Sequence, residues 1–86
     1  MMQTFVREMC GIPYFLLKEY LQELGGHLVG ENLVVGDGWK VGLERIEPYR
    51  IGSLVVGQTR LTMELEDRIA DDFQERFFKK TLRAGA

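Results

Sequence analysis

Nucleophiles and bases are scarce in this chain: 86 residues include one cysteine and one histidine. Cys10 opens the run Cys10-Gly11-Ile12-Pro13 ahead of a predicted helix. Partial positive charge at a helix N-terminus lowers a thiol pKa, which would make Cys10 a candidate catalytic nucleophile. Its only imidazole base would be His27, beyond the far end of that helix and roughly 20 Å away at ~1.5 Å per residue. A dyad within one chain is therefore not expected. Cys10 is read as a small packed residue, the usual habit of a free cysteine, and His27 as the start of a strand. One Cys and one His without an acidic loop, a CxxC or an HExxH leave no metal site to expect and call for no cofactor.

Carboxylates give two more candidates. Glu64 and Glu66 share one strand face, as catalytic pairs sometimes do, but Arg60 and Thr62 share it too, and such a row is the ordinary wet face of a half-buried sheet. Asp71 and Asp72 match the start of a helix dipole. The stretch Gly36-Asp37-Gly38-Trp39-Lys40 has the glycines of a phosphate cradle, yet a cradle runs from a strand into a helix. Here two-residue alternation continues beyond it, with Trp39, Val41 and Leu43 on one face and Lys40, Gly42 and Glu44 on the other. The stretch turns a hairpin corner. Trp, Tyr and Arg most often anchor interfaces, so Trp39, Tyr49, Arg50 and Arg60 are the binding candidates. The parity of Trp39 with Val41 and Leu43 argues for the core in its case. Phe78, beside Phe77, cannot face the same core and is available to cover the sheet's rim or meet a partner.

The elements that position these residues can be read in order. Residues 3–9 alternate as a strand, and a helix follows from Pro13 through Leu17, Tyr20, Leu21 and Leu24, capped by Gly25-Gly26. From His27 to Glu66 the period is two, with turns expected at Asn32 and at Asp37-Gly38, which accept positive φ cheaply. Pro48 marks residues 45–53 as a connection or ragged edge. A strand through residues 54–66 then puts Leu61, Met63 and Leu65 inward. The closing helix, about 67–83, carries Ile69, Ala70, Phe73, Phe77 and Thr81 on one stripe, with acids at its start and bases at its end. The order is β-α-β-β-β-β-α: an α+β fold in one domain, residues 1–86, with a curved antiparallel sheet and two helices packed on one face.

Composition bounds the rest. Apolar residues make up 45% and charged residues 28%, as in an ordinary globular domain. A net charge of -2 offers no basic footprint for nucleic acid. Apolar runs are too short to span a bilayer, and no signal peptide is read at the start, so a cytoplasmic protein is expected. So short a chain buries a limited share of its surface, which makes a homo-oligomer or other protein partner plausible.

The segments GIPYFLLKEYLQELGG, VVGDGWKV, RIGSLVVGQTRLTMELE and FQERFFKKTLRAGA, in this order of elements, resemble the C-terminal domain of MoaD-related proteins, an uncharacterised bacterial family with a TATA-binding-protein-like fold. In that family the domain follows a ubiquitin-like sulfur carrier. The resemblance implies an accessory role near sulfur transfer or molybdenum-cofactor synthesis, with a ubiquitin-like sulfur carrier as partner. It supplies no site residues. This chain departs from that arrangement in having no ubiquitin-like half, and it ends Ala-Gly-Ala rather than Gly-Gly, so a carrier role of its own is not expected. Two functions are carried forward: a non-enzymatic interaction domain, and a small-ligand binder with a pocket between sheet and closing helix lined by Phe5, Met63, Phe73 and Phe77.

Overall fold

A computed structural model describes residues 2–85, with side chains described as far as Leu82. Seven elements follow in order: β1 (Met2–Cys10), α1 (Tyr14–Glu23), β2 (His27–Val29), β3 (Leu33–Gly36), β4 (Trp39–Ile51), β5 (Leu54–Glu66) and α2 (Asp67–Gly85). The strands form one antiparallel sheet in the spatial order β1-β5-β4-β3-β2. The first strand thus returns to the far edge, beside the last.

Alternation decides which face is covered. Trp39 lies opposite Leu65, Val41 opposite Met63 and Leu43 opposite Leu61, and all six are buried. Leu17 and Leu21 of α1 and Ala70, Phe73 and Phe77 of α2 join them in a single core, so both helices lie on that face. On the bare face Lys40 pairs with Glu64 at 3.3 Å, and Arg60 reaches Glu8 at 3.1 Å and Glu44 at 3.4 Å. Pairs this exposed add little to stability, but they keep the face polar.

Helix ends and turns follow local chemistry. Gly25, at φ +102, closes α1, and the N–H groups of Gly25 and Gly26 donate to Gln22 and Leu21 carbonyls, satisfying acceptors that a helix end leaves open. At the corner after β3, Gly38 takes φ +84 and its carbonyl accepts from the Glu66 N–H at 2.9 Å. Arg68 reaches both Asp37 and Glu66 there, fixing the corner to the start of α2. In the β2–β3 turn the positive φ falls on Gly30, not on Asn32, because no non-glycine residue adopts it among those described. Along α2 the i,i+4 pairs Asp72–Arg76 and Glu75–Lys79 form at 3.0 and 3.2 Å.

The largest departure from the sequence reading lies at residues 45–53. Pro48 does not end a strand. β4 runs on through it to Ile51, with the irregularity confined to the register between Ile46 and Tyr49. A bulge is where a strand tolerates proline, because the missing N–H would have had no partner. Ile51 then pairs with Leu54 across Gly52-Ser53, with Gly52 at φ +62, the left-handed first position of a tight two-residue turn. The result is a 13-residue hairpin pair whose distal half extends past β3. It lengthens the molecule to 43 × 26 × 21 Å, with a radius of gyration of 13.0 Å against about 12 Å for a compact chain of this length.

Candidate functional site

That projecting hairpin is built from two edges that lose their neighbours. β1 stops at Cys10 opposite Gln58, with one more bond from the Gly11 N–H to the Gly57 carbonyl. β3 pairs with β4 only as far as Gly42. Beyond those points no strand pairs with the arm among the described residues, and only the segment from Gly11 to Pro13 borders Val55, Val56 and Gly57 on one side. Tyr49 pairs with Val56 and Ile51 with Leu54, so these four share one face, while Arg50 and Val55 share the other. Alternation along β5 puts Leu54 and Val56 in the row of Gln58 and Arg60, the bare face of the sheet. Tyr49, Ile51, Leu54 and Val55 are each more than half exposed, at 52–60%. A cluster of large apolar side chains on a protrusion is the kind of patch that marks an interaction surface in a soluble protein. Glu47 and Arg50 make no ion pair among the described residues, and so leave charge of both signs at its rim.

The sequence candidates are thereby separated. Tyr49 and Arg50 lie on the arm. Arg60 lies on the bare sheet face, four positions along β5 from the Val56 that faces Tyr49, and is held between Glu8 and Glu44. Phe78 is half exposed on α2. Trp39 is buried, its ring 4.7 Å from that of Phe73, so it supports the fold and presents no binding surface. The arm's other three exposed apolar residues, Ile51, Leu54 and Val55, were missed because residues 45–53 were read as a connection, which gave the start of the 54–66 strand no partner to form an arm with. The usable signal was Gly52-Ser53 between two apolar runs, a two-residue turn signature.

Cys10 corrects the sequence reading, for it is exposed: it ends the edge strand β1 on the bare face, which neither helix covers among the described residues. His27 begins β2, at the opposite edge of the sheet. Four strand spacings of about 4.8 Å keep the two apart, and no dyad forms. Glu64 is committed to Lys40 and Glu66 to Arg68. Among the described residues no group of three or more metal-ligating side chains is gathered together, and no helix is long and apolar enough to cross a membrane. The anticipated ligand pocket between sheet and α2 is occupied by protein. Met63, Phe73 and Phe77 are buried core residues, with Phe5 packed against them.

The open space lies instead around Tyr14. Its ring carries the Lys18 ammonium at 4.5 Å and the Arg45 guanidinium at 4.6 Å from the centroid, and its hydroxyl donates to the Leu43 carbonyl at 3.5 Å. Burial raises the Tyr14 pKa above the ordinary tyrosine value, with Arg45 opposing and Glu31 adding to the rise. Folding therefore favours the protonated phenol, and this contribution to stability is present below pH ~10 and lost as pH climbs through the raised value. In an absorbance titration, Tyr14→Phe is expected to remove a component that ionises above the ordinary tyrosine value and to flatten the alkaline loss of stability. An unchanged titration curve would rule this out.

A family described as "Archaeal MoaD-like protein" matches residues 5–86. This agrees with the MoaD-related resemblance in the sequence, and names archaea where that resemblance pointed to bacteria. No curated protein matches the chain.

Proposed function

The chain belongs to the archaeal MoaD-like family, and from that premise we propose that it is a non-enzymatic, cytoplasmic accessory domain that holds a protein partner through the β4–β5 arm. The partner is a ubiquitin-like sulfur carrier, and the setting is sulfur-carrier or molybdenum-cofactor metabolism. The family resemblance behind this reading also takes the domain to be TATA-binding-protein-like. The observation that carries the proposal is the arm itself: Tyr49, Ile51, Leu54 and Val55 are more than half exposed beyond the end of every flanking strand.

Such exposure has a cost in solubility and gives little to the fold, so a surface that covers it is the economical explanation. Arg50 and Glu47 at the rim would set orientation more than affinity, as exposed charges do at interfaces. The expected result is a 1:1 complex with a ubiquitin-like sulfur carrier in size-exclusion chromatography with light scattering, at micromolar concentrations. A chain that stays monomeric alone and in every such mixture would sink the reading. A homodimer that excludes the carrier would keep the arm as an interface and reject the partner.

A further inference from the structure

We propose that the cleft around Tyr14, Lys18 and Arg45 binds a small organic carboxylate with an apolar body, at a site independent of the arm's protein partner. Tyr14 opens α1, Lys18 follows one turn later on the same helix face, and Arg45 comes from β4 opposite the buried Thr59. Both cations approach the one ring. An aromatic face attracts a cation, but two positive charges brought to it also repel each other, and a bound anion relieves that repulsion.

These two cations stand apart from most others. Lys40, Arg60, Arg68, Arg76, Lys79 and Lys80 each have a carboxylate within 4.0 Å. Lys18 and Arg45 have none among the described residues, although Glu31 and Glu44 line the same cleft. Glu44 is drawn to Arg60 at 3.4 Å. Glu31 is the remaining acid at the rim.

Two clefts border Tyr14. Toward the arm lies a cleft of about 340 Å³, lined by Ile12, Pro13, Phe15 and Pro48. Toward β2 lies one of about 550 Å³, lined by Lys18, Leu28, Glu31 and Asn32. Tyr14 and Arg45 border both. Each volume lies within the ~300–1,000 Å³ range of small-molecule sites, where apolar walls and a few convergent polar groups fix orientation. The carboxylate would sit between the Lys18 and Arg45 head groups, and the apolar body would lie along the first cleft.

The test uses 4-phenylbutyrate, inorganic phosphate and 4-phenylbutylamine, titrated separately into the isotopically labelled protein at modest ionic strength. Saturable amide shifts from phenylbutyrate centred on residues 12–18 and 43–46 are expected. Lys18→Gln and Arg45→Gln should each weaken binding at least tenfold without lowering Tm. Glu31→Gln should tighten it a few-fold, because it removes the acid of this cleft that is not drawn to Arg60. Equal binding of the amine would overturn the charge assignment, and equal binding of phosphate would overturn the apolar body. Shifts centred on the arm's tip, residues 49–55, with none around Tyr14, or affinity unchanged in all three variants, would overturn the site.

Discussion

Trp39→Ala is expected to lower the free energy of unfolding by about 3–5 kcal/mol, the cost of removing a large aromatic from a packed core. Domains of this size have roughly 4–13 kcal/mol in total, so the variant should sit near the edge of folding. The packing explains why. Trp39 is 6% exposed, its ring meets Phe73 at 4.7 Å, and Phe73 stacks in turn on Phe77. The indole also lies over two backbone segments: a Cβ added at Gly36 or at Gly26 would run into its ring. Gly36→Ala alone should therefore be destabilising, since indole or strand must shift to admit one methyl. In the Trp39→Ala background the same change should be close to neutral. Urea denaturation of the two single variants and the double variant gives the coupling as a double-mutant cycle. Strictly additive losses would show that the indole does not occupy that space. Trp39→Phe, which keeps a ring against Phe73, should fall between wild type and Trp39→Ala.

Much of this arrangement was legible in the sequence because burial and period coincide there. Trp39, Val41 and Leu43 alternate against Leu61, Met63 and Leu65, and both rows are read directly from a period of two. The stripe of Ala70, Phe73, Phe77 and Thr81 has the spacing of a helix, and all four are buried. Gly25 was readable as a cap because only glycine adopts that conformation cheaply. What escaped depended on pairing between distant segments. Pro48 breaks a ladder only if its N–H is needed, and here the bulge removes the need. Cys10 seemed a core residue by habit, but its exposure follows from β1 returning to the sheet edge beside β5. No local pattern carries that return. The Tyr14 cleft escaped for the same reason: Lys18 is a neighbour on the helix, whereas Arg45 arrives from β4 through sheet register.

Ile51→Lys combined with Leu54→Glu is expected to weaken carrier binding by at least 100-fold while leaving the fold intact. The two positions face each other across the hairpin, so opposite charges placed there attract and hold the turn, whereas like charges would force it open. Both side chains are more than half exposed, and surface changes of that kind usually stay within ±0.5 kcal/mol of wild-type stability. Binding responds differently. Burying a charge against an apolar partner surface leaves it desolvated, and losing two central anchors removes about 2 kcal/mol or more each, where 1.4 kcal/mol is tenfold in affinity. Phe78→Ser on α2 is the comparison, because Phe78 is also half exposed but belongs to the helical layer. It should change carrier affinity less than threefold. Calorimetry on wild type, the arm variant and Phe78→Ser separates the two surfaces. If the arm variant binds as wild type does while Phe78→Ser fails, the partner sits on α2, and the arm must be covered by something else.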